Sequence, residues 1–110
     1  MIVEALENVS FQIISYAGSA KAKCYEALQA VKAGDFEKAE LLLKEGQELF
    51  IEAHKVHTQL IQKEANNEAV TPTLLLIHAE DQLMNAEISR EYLLEIIALQ
   101  KEVAQLKKEK

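Results

Sequence analysis

The sequence predicts an all-α protein, an antiparallel up-down-up bundle of three long helices forming a single domain over residues 1–110. Three observations lead there. Only three glycines and one proline occur in 110 residues, and Gly34 and Pro72 fall where the apolar pattern breaks. Between the breaks, apolar residues recur every three or four positions, the period of a helix with one buried side. No stretch is left over for strands.

The first helix is expected from about Ile2 to Lys32, with Ile2, Leu6, Val9, Ile13, Tyr16, Ala20, Cys24, Ala27 and Val31 as its buried stripe. Gly34 ends it, because glycine takes the left-handed conformation that commonly follows a helix, and Asp35 can cap the next helix by accepting from its free N–H groups. The second helix, about Phe36 to Glu64, buries Phe36, Ala39, Leu43, Gly46, Phe50, Ala53, His57 and Leu60. Polar Asn66-Asn67-Glu68 marks a loop. Thr71-Pro72 signals the third helix, since proline at the first helical position loses only an N–H that would be unpaired anyway. That helix is expected to reach about Lys107.

Helices of this length are each roughly 45 Å long, so three of them make a thin rod with much surface for its volume. The third carries two apolar stripes: Leu76, Ala79, Leu83, Ala86, Leu93 and Ile97, and then Leu74, Ile77, Met84 and Ile88 with Asp81 set among them. One stripe can face the core. The other stays wet unless a second subunit covers it, which predicts a homo-oligomer built around the third helix.

Composition narrows the function. Hydrophobic residues make up 49% of the chain, enough for a core, while the longest aliphatic run, Leu74 to Ile77, is far short of a membrane span. Acidic Glu4 and Glu7 stand where a secretory leader needs basic residues, so a cytoplasmic protein without membrane insertion is expected. Cys24 is the single cysteine, which leaves no internal disulfide or cysteine-based zinc cluster and suits a small core residue. A net charge of -6 argues against nucleic acid, and the terminal Lys107-Lys108-Glu109-Lys110 is read as complementing the helix dipole. Neither a glycine-rich phosphate cradle nor a nucleophile elbow is present.

His78, Asp81 and Gln82 share one side of the third helix by spacing. A lone carboxylate on an apolar stripe loses hydration, so Asp81 is either half-exposed or paired. If the stripe lies on a rotational symmetry axis, clustered Asp81 carboxylates would be protonated, hydrated or bridged by a cation, and oxygen ligands suit Mg²⁺. A neutral imidazole is a good nucleophile near pH 7 and can accept a phosphoryl group, although a histidine in an apolar helix is more often a hydrogen-bonded core residue. His54 and His57 have metal-like spacing without an H-E-x-x-H sequence; His57 suits a core or interfacial place and His54 the surface. Gly18, Ser19 and Ala20 either let the first helix pass close to the site or permit tight helix packing, the second being favoured.

Taken whole, the chain resembles the lactose/cellobiose-type enzyme IIA subunits of the bacterial phosphoenolpyruvate-dependent sugar phosphotransferase system. Tyr16-Ala17-Gly18-Ser19-Ala20, Glu26 to Ala30, Gly34 to Glu40, Ala53 to Glu64 and Leu74 to Met84 carry the resemblance in order and spacing. It implies a homotrimer in which His78 accepts a phosphoryl group from the phosphocarrier HPr and passes it to a cysteine of the cognate IIB subunit, during uptake of a lactose-, cellobiose- or chitobiose-class sugar. It also implies that Asp81 of three subunits binds a divalent cation, usually Mg²⁺. Rival readings are a histidine phosphotransfer protein of two-component signalling and a non-catalytic structural helical trimer. Two positions depart from the family's His-Ala-Gln-Asp-His-Leu-Met: Glu80 and Gln82. Glu80 is expected to add negative charge beside the phosphoryl site, and Gln82 to remove a proton donor or phosphate partner, altering transfer rate or partner choice.

The unpartnered second stripe predicts that sedimentation at micromolar concentration finds an oligomer; a monomer there refutes it.

Overall fold

The computed structural model describes residues 3–109, and comprises α1 (Val3–Lys32), α2 (Phe36–Ala65) and α3 (Leu74–Lys108), with no strand among the described residues. Ile2 of the first stripe and the terminal Lys110 lie outside them. The molecule measures 62 × 20 × 18 Å, the expected rod.

Both turns are local chemistry. At the first, Gly34 has φ +83°, and the amides of Gly34 and Asp35 donate to the carbonyls of Val31 and Ala30, satisfying the end of α1. Asp35 then caps α2, its Oδ1 accepting from the Lys38 amide at 3.1 Å. At the second turn Asn67, with φ 65°, takes the part that glycine played, and the Glu68 amide donates to Lys63. Here the expected boundary moves. Thr73, not Thr71, is the N-cap of α3, its hydroxyl accepting from the Leu76 amide at 3.0 Å, so Pro72 lies before the cap instead of inside the first turn. A hydroxyl placed three residues before that free amide decides the boundary.

α1 packs along both of the other helices. Its buried side runs through Leu6, Ser10, Ile13, Ala17, Ala20, Cys24, Ala27 and Val31; the expected Val9 and Tyr16 are only half-buried, and the small Ser10 and Ala17 beside them take the core positions. Small side chains let the helices come close: a Cβ added at Gly46 of α2 would lie 3.2 Å from the Lys23 Cβ and 3.3 Å from the Ala20 carbonyl oxygen. Ser10 is buried without cost because its hydroxyl donates to the Leu6 carbonyl at 2.8 Å. On α2 the expected Ala39, Gly46, Ala53 and Leu60 are buried, while Phe36, Leu43, Phe50 and His57 are only half-buried and Leu42 is buried in addition.

The core falls into two clusters. Leu6, Ile13, Ala53, Leu76 and Leu83 belong to the first; Leu28, Val31, Leu42 and Ile97 belong to the second. Between them Arg90, the only arginine, occupies a core-facing position of α3 with its guanidinium 5.8 Å from the centre of the Phe50 ring, within cation–π range.

On α3 the stripe with Leu76, Ala79, Leu83, Ala86 and Ile97 is buried. The second stripe is exposed, Leu74 at 83%, Ile77 at 57% and Ile88 at 54%, and continues through Tyr92, Ile96, Leu99 and Val103. At about 100° per residue the two lie on nearly opposite sides of the helix, so one packed bundle cannot cover both.

Leu83 is fully buried. Leu83→Ala is expected to lower the unfolding free energy by about 2–5 kcal/mol in urea titration, whereas exposed Glu102→Ala changes it by no more than about 0.5 kcal/mol.

Candidate functional site

The first turns of α3 present His78 and Asp81, both exposed, with Gln82 half-buried beside them. Spacing puts the three on one side, as the sequence predicts. Ile77 and Met84 are exposed around them, so the imidazole stands on a partly apolar surface.

Glu80 departs from expectation. It is two residues from His78, about 160° away around the helix, and faces α2. There its Oε2 lies 2.6 Å from the Nε2 of His57, a ring only 16% exposed. Within the chain the carboxylate is therefore turned to the other side of the helix from His78, against His57. His57 takes the interfacial place predicted for it. His54 is half-buried, less exposed than predicted, because its ring meets Phe50 edge-on with centroids 4.6 Å apart.

Along α3 from His78, the α1–α3 side carries Asn85, whose Oδ1 accepts from Lys21 Nζ at 2.8 Å and from the Ser89 hydroxyl at 3.4 Å. Beyond it an apolar groove of about 550 Å³ runs between α1 and α3, lined by Gly18, Tyr25, Ile88, Tyr92 and Ile96 among others. Gly18 and Ser19 are exposed, and a Cβ at Gly18 would meet nothing within 4 Å, so tight packing explains neither. Ala20 is the member of that trio that packs, against Gly46.

Asp81 offers hard oxygen donors of the kind Mg²⁺ takes. Among the described residues no group of three histidine, cysteine, aspartate or glutamate side chains is placed to hold a metal. Asp81 itself stands exposed among the apolar side chains of the second stripe.

Cys24 is buried in the core, next to Gly46 of α2. Burial pushes its thiol above the ordinary value of 9.0, and the Arg90 charge only partly offsets that. No helix among the described residues is long and apolar enough to cross a membrane.

Sequence reasoning missed the His57–Glu80 and Lys21–Asn85 links, which join residues 23 and 64 positions apart. No local pattern announces such pairs.

Comparison with known proteins gives a consistent result. The profile of the family described as PTS system, lactose/cellobiose specific IIA subunit, matches residues 8–101. The chain is 39% identical over 102 residues to the lichenan-specific phosphotransferase enzyme IIA component of Bacillus subtilis, covering 93% of each. It is 36% identical over 98 residues to the lactose-specific EIIA component of Staphylococcus epidermidis, covering 89% of this chain and 94% of that one. Among solved structures, the cellobiose-specific enzyme IIA of Bacillus anthracis superposes with TM-score 0.88 at 38% identity, covering 96% and 94% of the two chains. The IIA(chitobiose) of Escherichia coli, solved in complex with HPr, gives TM-score 0.78 at 33% identity over 90% and 96%.

Because the folded state holds the Cys24 proton more tightly, the stability this contributes is present below the ordinary thiol pKa and is lost as pH rises through and above it. A thiol reagent at pH 8 is accordingly expected to label native protein much more slowly than protein unfolded in urea; equal rates would place the thiol at the surface.

Proposed function

The chain belongs to the lactose/cellobiose-specific IIA family of the sugar phosphotransferase system and is thus a phosphotransferase component, and on that premise we propose that it is a cytoplasmic phosphocarrier whose acceptor is His78. The observation that carries the reading is the exposed imidazole of His78 on the first turns of α3, in a chain that matches the family over nearly its whole length. The donor is phospho-HPr, a partner type seen with the chitobiose relative. The acceptor is a cysteine of the cognate IIB subunit, during uptake of a lactose-, cellobiose- or chitobiose-class sugar.

The chemistry asks little of the protein beyond placement. A neutral imidazole nitrogen of His78 attacks phosphorus in line, a P–N bond forms, and the donor's bond to phosphorus breaks with its electron pair returning to the donor. In the second half the IIB thiolate attacks the same phosphorus and the P–N bond breaks. Both halves need a docking surface around His78 that excludes water while the group is transferred. A rigid helix under His78 favours precise alignment over flexibility.

The exposed stripe of α3 supports assembly as a homotrimer, with that stripe covered by its copies. In such an assembly three Asp81 carboxylates converge on the axis and a shared divalent cation, Mg²⁺ by its preference for oxygen ligands, would offset their repulsion. Asp81 binds, and His78 reacts.

Incubation with phosphoenolpyruvate, enzyme I and HPr is expected to add one acid-labile phosphate per chain by intact mass, abolished by His78→Ala. A folded protein that takes no label from competent partners would instead be a structural trimer.

A further inference from the structure

We infer that His57 is a positioning residue for chemistry at His78, acting through the close contact of its Nε2 with the Glu80 carboxylate; this rests on the reading of His78 as the phosphoryl acceptor. The question is what fixes the rotation of α3 at its first turns. Leu76 and Ala79 hold the helix on its buried side, and the Thr73 cap fixes only the backbone end. Toward α2, apolar packing is incomplete: a cavity of about 310 Å³ opens there, lined by Leu60, Ile61, Val70, Leu76 and Glu80 among others.

At the edge of that cavity the His57–Glu80 contact, 2.6 Å, ties α3 to α2. It differs from the Lys101–Glu40 ion pair between the same two helices, which is solvent-exposed and lies toward the far end of the rod. A 2.6 Å contact with a carboxylate from a ring only 16% exposed is short and largely shielded from water, the kind that holds geometry.

Glu80 and His78 project from nearly opposite sides of the same turn, so a pull on one rotates the other. A rotation of roughly 10° about the helix axis moves a ring about 6 Å from that axis by about 1 Å. Misplacement on that scale can cost in-line chemistry up to about a hundredfold. Glu80 is half-exposed, so losing the bond leaves a carboxylate that water can reach, and the rate is more sensitive to the bond than stability is.

The test follows phosphorylation of full-length protein by phospho-HPr across donor concentrations. His57→Leu keeps bulk and removes the donor; His57→Gln places an amide N–H near the position of Nε2. For His57→Leu, kcat is expected to fall about three- to tenfold with KM for phospho-HPr unchanged, and His57→Gln to return it to within about twofold of wild type. Unaltered kcat in His57→Leu, or a His57→Gln protein as slow as His57→Leu, overturns the inference. If His57→Leu loses helicity, Glu80→Leu against Glu80→Gln asks the same question from the more exposed partner, with the same expected contrast. Wild-type protein that takes no phosphate overturns the carrier reading itself, whereas labelled wild type with an unslowed His57→Leu overturns only the role of His57.

Discussion

Everything in this molecule depends on the close packing of α1 between its two neighbours. Its buried side is mostly small, with Ala17, Ala20, Cys24 and Ala27 in sequence, and Gly46 of α2 meets it at near-contact distance. Larger residues would part the helices, and a rod only about 20 Å across has no second layer to refill the gap. The close fit also gives each large side chain, such as Leu83 or Ile13, complete burial from few neighbours.

α3 is bound to this arrangement by one side alone, and that fact produces the site. Its opposite side must stay outside the bundle, which is why His78 and Asp81 stand on an accessible surface flanked by Ile77, Met84 and Ile88. An apolar surface with a nucleophile at one end and a carboxylate within it suits two kinds of contact. The turns around His78 suit transient docking, while the longer stripe through Ile88, Tyr92 and Ile96 has the extent for lasting assembly.

Charged residues inside the bundle divide its labour. Arg90 interrupts the core and rests on Phe50, separating a cluster near His78 from one at the other end. Glu80, an acidic residue two positions from His78, is accommodated because α2 supplies His57 to meet it. A carboxylate that by sequence position would face the phosphoryl site contacts the neighbouring helix instead.

The sequence by itself determined the three helices, the Gly34-Asp35 turn and the buried stripes, because each follows from short-range rules: periodicity, capping and the conformational range of glycine. It also determined that His78, Asp81 and Gln82 share a side, a matter of spacing alone. What only the tertiary structure decided are relations between helices. The start of α3 shifted to Thr73 because one hydroxyl meets one amide, and on α2 Leu42 is more deeply buried than Leu43 beside it. Glu80 turned toward His57, and Gly18 proved to face open space, because the direction of a side chain has no meaning until a neighbouring helix is there to receive it.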